Sequence, residues 1–406
     1  MAVGEFPFPD MPPVNGVSLG TVGAGIKKQG RDDMLLFAVA EGSTVAGVFT
    51  QNAFCAAPVT ICREHLQTSS SRFLLINSGN ANACTGERGR TDALQLCESL
   101  AKQYGLAKET VLPFSTGVIG EHLPVDKMQQ ALPELIARVT EDAWAAAAKA
   151  IMTTDTRPKG ATCTLELNGV AVTVNGISKG AGMINPNMAT MLGFVATDAA
   201  IDQSVLQTLV REVAGLSFNR ITIDGDTSTN DACMLIASGK AGNEPVVSTA
   251  SVDYQKLKSA VADVCMQLAQ MIVADGEGAT KFVAIDVQGG ANHEECLKVA
   301  YAVAHSPLIK TALFASDPNW GRIVAAIGYA GVEGLDASKV RVRLNDVVIV
   351  ENGCRADSYT EEQGQKVMSG ERISVHIDLG RGNCSELLWT TDLSYEYVRI
   401  NADYRT

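Results

Sequence analysis

Apolar positions along the chain alternate between two periods. The runs "MLLFAVAEGSTVAGVFT" (34–50) and "RFLLINSG" (72–79) are rich in strand-forming residues and broken by Gly, Ser and Asn, which predicts strands. Within "TDALQLCESLAKQYG" (91–105) the spacing becomes helical: Leu94, Cys97, Leu100, Ala101 and Tyr104 share a face, with Thr91 or Asp92 as N-cap. A second helical stretch is predicted over about 125–152, with Met128, Leu132, Leu135, Ile136 and Val139 inward and Pro133 as a kink.

The next segment, "TCTLELNGVAVTVNG", reads as two alternating runs joined by Asn168-Gly169. Asn-Gly tolerates the positive φ angles of a type I′ turn, so a hairpin is expected that leads into Lys179. Further helices are marked by Leu206, Leu209, Val210 and Val213 and by Tyr254, Leu257, Val261, Val264, Leu268 and Met271. Between them "RITIDGDTSTNDACMLIASG" predicts a polar loop between two short strands. A hairpin, "VRVRLNDVVIVENG", and a final strand pair, "RISVHIDLG" and "CSELLWTTDLS", precede the C-terminal "YEYVRINADYRT". Antiparallel hairpins mixed with long amphipathic helices predict an α/β or α+β layered body.

Composition narrows the function. With 406 residues, 46% of them apolar and 19% charged, the chain can bury a sizeable core. Its formal charge of -12 comes without a basic run, which argues against nucleic acid as a partner. Ten scattered cysteines with no CxxC pair predict reduced, mostly buried thiols. "MAVGEFPFPDMPPVNG" lacks the basic start and apolar core of a signal peptide, and no apolar segment approaches the roughly 20 residues that span a bilayer. A reducing cytoplasm and no membrane partner are the expectation.

Familiar chemistries fit poorly. "LGTVGAGIKK" and "KGAGM" match neither GxGxxG nor GxxxxGK[ST], and the five histidines show no HxxxH or HxH spacing for a metal. No GxSxG elbow is present. One compact alternative is a threonine whose own α-amine serves as base, an arrangement that exists only at a chain start. Thr190, where the loop "GAGMINPNMA" meets an apolar run, would qualify only if the bond from Ala189 were cut. Without that cut, Thr190 is an ordinary β-branched strand residue.

Taken together, "KGAGMINPNMATMLGF", "NSGNANACTG", "LPFSTGVIG", "IMTTDTRPKGA", "DGDTSTNDACM", "VADGEGATKF", "SDPNWGR" and "INADYRT" resemble, in order and over nearly the whole chain, the glutamate N-acetyltransferase (ornithine acetyltransferase) family of arginine biosynthesis. The resemblance implies a layered αββα fold like that of self-processing aminopeptidases. It implies self-cleavage between Ala189 and Thr190 into an α chain (1–189) and a β chain (190–406), interwoven and assembling as α2β2. Thr190 would be the nucleophile, Thr116 and Gly117 the oxyanion donors, and Thr153, Lys179, Thr190, Glu277, Asn401 and Thr406 the substrate-binding positions. The implied reaction moves an acetyl group from N2-acetylornithine to glutamate without metal or organic cofactor; some relatives also accept acetyl-CoA.

Overall fold

A computed structural model describes residues 3–27, 29–185 and 191–403. Ala189, Thr190 and Thr406 lie outside the described residues. The chain forms two units, the larger comprising Pro7–Asn219 and Thr227–Ile272.

The strands of the larger unit are β1 (Val17–Val22), β2 (Met34–Val39), β3 (Thr44–Phe49), β4 (Phe73–Asn80), β5 (Val111–Val118), β6 (Lys159–Leu167), β7 (Val170–Lys179), β8 (Leu192–Thr197) and β9 (Ala232–Ala237). Its helices are α1 (Ala57–Thr68), α2 (Gly86–Gln103), α3 (Val125–Ala137), α4 (Trp144–Ala150), α5 (Gln203–Leu216) and α6 (Val252–Ala274). Two sheets result, in orders β1-β2-β4-β5 and β3-β9-β8-β7-β6.

Strand alternation decides what each face buries. Leu35 and Phe37 of β2 point into the core shared with the other sheet, while Met34 and Leu36 pack among side chains of α2 and α3. At the centre, Phe194 of β8 lies 5.4 Å from Phe37 and 5.1 Å edge-on from Phe114 of β5. On the outer face of the second sheet, α5 packs against β3 and β9, and Val264 and Leu268 of α6 sit over Gly176 of β7. The layers therefore run helix, sheet, sheet, helix, the αββα arrangement expected. Every residue of β8 and β9 is buried, which fits strands covered on both faces.

The predicted hairpin forms as β6 and β7, with Asn168 at φ 49° and Gly169 at φ 81°. Three local expectations need correction. Helix α2 begins at Gly86, so Thr91 and Asp92 lie inside it. Its start is fixed by a tight turn in which Thr85 Oγ1 donates to Asn82 Oδ1 and Asn82 Nδ2 donates to the Gly89 carbonyl. The stretch 125–152 is two helices, since Thr140 exchanges backbone hydrogen bonds with Leu19 of β1 (2.7 and 2.8 Å) while Pro133 sits inside α3. Helix α6 is long and apolar enough to cross a membrane, against the expectation of no such segment, and its buried face on β7 accounts for its apolarity.

The smaller unit comprises Met1–Phe6, Arg220–Asp226 and Val273–Thr406. Its strands are β10 (Phe282–Gly290), β11 (Arg341–Leu344), β12 (Val347–Glu351), β13 (Cys354–Arg355), β14 (Arg372–Asp378) and β15 (Cys384–Thr391). Its helices are α7 (His293–Ala304), α8 (Pro307–Phe314), α9 (Trp320–Tyr329), α10 (Glu361–Met368) and α11 (Tyr395–Ala402). One sheet runs β13-β12-β11-β14-β10-β15. The expected final pair does not pair directly: β10 lies between β14, which it joins in parallel, and β15, which it joins antiparallel. Of the predicted strands flanking the polar loop, β9 forms, whereas the first is reduced to a bridge between Ile221 and Trp389. All ten cysteines are free, and five rather than most of them are buried.

Candidate active site

The first cluster forms where β4 and β5 end side by side. Their parallel register runs from Phe73 opposite Val111 to Gly79 opposite Gly117, then slips so that Asn80 faces both Thr116 and Val118. Gly117 adopts φ +137°, and a Cβ placed on it would lie 2.3 Å from the Gly79 carbonyl carbon. No other residue type fits this approach. Thr116 beside it is buried at 6% exposure.

Side-chain amides clamp this bulge. Asn77 accepts from Ser115 Oγ at 2.6 Å and donates to the Asn80 carbonyl at 2.9 Å. Asn230 Nδ2 donates to the Ser115 carbonyl at 2.9 Å and to that of Ala81 at 2.5 Å. The peptide groups around Thr116 and Gly117 are thus held in place by Asn77 of the adjoining β4 and by Asn230 from just before β9. Donors fixed in advance are what stabilisation of a developing oxyanion requires.

The second cluster lies at the end of β7. Lys179 Nζ donates to Thr153 Oγ1 at 3.4 Å, which joins two residues singled out from the sequence. Both are organised by Asp155, a residue that sequence reasoning missed. Its carboxylate accepts from Thr153 N (3.0 Å), Gly180 N (2.7 Å) and Lys159 Nζ (2.6 Å). Burial pushes the Asp155 carboxyl up, but the cations Lys159 and Lys179 together with these hydrogen bonds hold it below its ordinary range. Arg31 links the two clusters, donating to the Met152 carbonyl and, at 3.0 Å, to Ser78 Oγ of β4.

Asp231 stands immediately before β9 and was also missed. It is buried, its backbone carbonyl accepts from Thr50 N at 3.0 Å, and its Oδ2 has no hydrogen-bond partner among the described residues. The following amide, Ala232 N, donates to the Met191 carbonyl at 2.9 Å. Burial pushes the Asp231 carboxyl well above the usual carboxylate range, against the opposing pull of Ser228 and of the Lys179 charge. Nothing in a single sequence separates such an aspartate from a solvated one; the signal is its burial.

In the smaller unit, Glu277 and Asn401 meet. Glu277 is buried, and its Oε2 accepts from Asn401 Nδ2 of α11 at 2.7 Å. The turn behind it uses Gly278 at φ +67°, where a Cβ would press to 2.4 Å from Tyr397 N of α11. Tyr397 donates its hydroxyl to Asp224 Oδ2 at 3.2 Å, and burial with the neighbouring carboxylates Asp224, Glu277 and Asp226 pushes the phenol far up. The surroundings of Glu277 are therefore strongly acidic, an environment suited to a cationic group.

Comparison with known proteins extends this geometry. The ArgJ family model matches residues 18–406. The chain is 60% identical to the arginine biosynthesis bifunctional protein ArgJ of Pseudomonas syringae pv. tomato and 59% identical to that of Pseudomonas fluorescens, in each case over the full length of both chains. A crystal structure of arginine biosynthesis bifunctional protein ArgJ from Bacillus halodurans is 39% identical, covers 52% of this chain and 99% of its own, and gives a TM-score of 0.50. A family match over nearly every residue and full-length identity near three-fifths leave one conclusion: this chain belongs to the ArgJ family of arginine-biosynthesis proteins.

Proposed function

We propose that the chain cuts itself between Ala189 and Thr190, and that Thr190 then carries an acetyl group from N2-acetyl-L-ornithine to L-glutamate. The observation that carries this reading is the clamped bulge at Thr116 and Gly117. It is a pair of rigid strand ends tied through Asn230 to the residues just before β9, and β9 pairs with β8, which begins two residues after Thr190. The Bacillus halodurans chain adds support: it covers 52% of this one, close to the share of a 190–406 fragment, about 53%.

In the proposed cycle Thr190 attacks the acetyl carbonyl while its α-amine takes the hydroxyl proton, directly or through water. Thr116 and Gly117 stabilise the oxyanion; collapse of the tetrahedral adduct expels ornithine and leaves acetyl-Thr190. Glutamate then attacks this ester and departs as N-acetylglutamate. Lys179 and Thr153 serve the α-carboxylate common to both substrates, and Glu277 with Asn401 and Thr406 serves the ornithine side chain. The word bifunctional in the relatives' names supports a second activity, which we assign to acetyl-CoA as an alternative donor. We place the α2β2 assembly and a cytoplasmic location in the same reading.

Intact-mass measurement before and after addition of N-acetylornithine tests it. Two chains beginning at Met1 and Thr190 are expected, with acetyl added to the second. Thr190→Ala should yield one intact, inactive 42.8 kDa chain, and a cleaved, active variant would sink the mechanism. Hydrolysis of N-acetylornithine with no acceleration by glutamate would instead identify an amidase.

A further inference from the structure

The two substrates of the proposed cycle differ in charge. N2-acetylornithine carries one carboxylate, whereas glutamate carries two. Lys179 with Thr153 serves the carboxylate they share, so the second carboxylate of glutamate calls for another cation at this end of the larger unit. Lys159 is committed elsewhere: it is 1% exposed, and its Nζ lies 2.6 Å from Asp155 Oδ1. Lys27 passes beside Gly79 but is exposed.

Arg31 remains, and the loop between β1 and β2 holds it in place. Asp33, 2% exposed, closes this loop at its base: its carboxylate accepts from Ala24 N at 2.7 Å and Ile26 N at 2.6 Å, and its carbonyl accepts from Ser78 N at 2.9 Å. Arg31 then lies across the ends of both clusters. Its Nη2 donates to Ser78 Oγ at 3.0 Å and to the Met152 carbonyl. Ser78 pairs with Thr116 in the β4–β5 ladder and donates its own hydroxyl to the Ala150 carbonyl at 2.7 Å, and Met152 precedes Thr153. The guanidinium belongs to a partly buried residue, yet both its acceptors are neutral. The neighbouring Asp32 accepts from Thr21 Oγ1 at 2.6 Å, and Arg31 forms no ion pair among the described residues. An arginine fixed by neutral groups through one nitrogen keeps its charge and its remaining N–H donors for a carboxylate.

We propose that Arg31 is a specificity-determining residue for the acyl acceptor, its guanidinium binding the side-chain carboxylate of glutamate. The assignment rests on the acetyl-transfer reading above and supplies the second anion site that this reading needs. N2-acetylornithine has no second carboxylate and makes no use of that site. Arg31 therefore acts on one half of the cycle only, the transfer from acetyl-Thr190 to glutamate.

The test separates the half-reactions. Protein acetylated with N-acetylornithine and freed of ornithine by gel filtration is titrated with L-glutamate and, in parallel, with L-glutamine, its uncharged isostere, while loss of the acetyl mass is followed. Wild type should favour glutamate by at least about tenfold in second-order rate constant, the effect expected of one charge-assisted hydrogen bond, and in Arg31→Gln the two acceptors should come within about twofold. Acetylation by N-acetylornithine should stay within about twofold of wild type, and Arg31→Lys should recover part of the preference. A retained preference for glutamate in Arg31→Gln overturns the proposal. So does an equal loss in both half-reactions, which would mark Arg31 as a strut between β4 and Met152. Lys27→Ala should keep the preference, and its loss there would assign the carboxylate to Lys27 instead. Should Arg31→Gln fail to fold, Arg31→Lys decides: a preference reduced by at least about threefold supports the proposal and an unchanged one overturns it. A wild type whose acetyl group passes to water as fast as to glutamate removes the transfer reading and this proposal together, whereas glutamate transfer with an unaltered preference in Arg31→Gln removes this proposal alone.

Discussion

Gly117 and Asp155 show how single residues set this site. At Gly117 both φ +137° and the 2.3 Å approach to Gly79 exclude a side chain, so Gly117→Ala must pull β4 and β5 apart at their ends. Backbone strain of this kind costs about 1–3 kcal/mol, and the expected outcome is a lowered Tm with acetyl transfer lost more completely than stability. Asp155 works through charge. Asp155→Asn would remove the carboxylate that faces Lys159, 1% exposed, whose Nζ also donates to the Arg157 carbonyl at 3.3 Å, and breaking a buried ion pair from one side costs about 3–5 kcal/mol. The sign with pH follows from the depressed folded-state pKa. The stabilisation is complete above the unfolded value near 4 and is lost as pH falls through the folded value, because the unfolded chain takes the proton first. Urea unfolding at pH 7 and pH 3 should therefore differ more for the wild type than for Asp155→Asn. Neither Asp155 nor Asp231 was legible in the sequence. Their importance comes from burial and from partners such as Gly180, 25 residues away, and a single chain read by pattern carries no sign of either. Thr116, Lys179 and Glu277 were found only through family resemblance, since as isolated residues they read as turn or surface positions.

At the scale of elements, legibility followed the range of the interaction. The turn at Asn168 and Gly169 is decided by its own two residues, so the β6–β7 hairpin could be read directly. The start of α2 and the break before α4 are decided by Asn82 and by Leu19 on β1, and both were misplaced. The long crossover that sets β10 beside β14 lies further still from local pattern. The joint between α8 and β15 carries a testable charge. Lys310 of α8 is buried, donating to Thr390 Oγ1 at 3.1 Å and to the Thr391 carbonyl. Burial lowers its pKa to about 8, against the pull of Asp392 and Asp224. An unfolded lysine keeps its proton to about 10.4, so between these values the unfolded state binds more protons and the contribution of Lys310 to stability should rise with pH, by about 3 kcal/mol in all. The buried thiols Cys62, Cys97, Cys233 and Cys265, raised by burial, pull overall stability the other way as unfolded thiols ionise, so the rise should be read from pH 7.5 to 10.5 as the difference in unfolding free energy between wild type and Lys310→Met. A difference that stays constant with pH would mean that Lys310 does not titrate in this range.

For the molecule as a whole, the compact units and the proposed products do not coincide. The larger unit contains residues on both sides of the 189/190 bond, and its five-stranded sheet takes β3, β6 and β7 from before that bond and β8 and β9 from after it. Lys179 of β7 pairs with Leu192 of β8 across the proposed cut, and β3 pairs with β9 through six residues from Thr44 opposite Ala237 to Phe49 opposite Ala232. Beneath them one core holds Phe37 and Phe114 from the first product against Phe194 and Met234 from the second. Separating the products would unpair β7 from β8 and β3 from β9 and expose this core to water, at about 25 cal/mol for each Å² of apolar surface. Cleavage should therefore leave unfolding cooperative. The two fragments should co-elute in gel filtration at neutral pH, dissociate only in denaturant, and do so in a single transition seen both by far-UV circular dichroism and by the fluorescence of Trp144, Trp320 and Trp389. Fragments that part in buffer alone would contradict this sheet, since no arrangement of β8 between β7 and β9 survives loss of one neighbour.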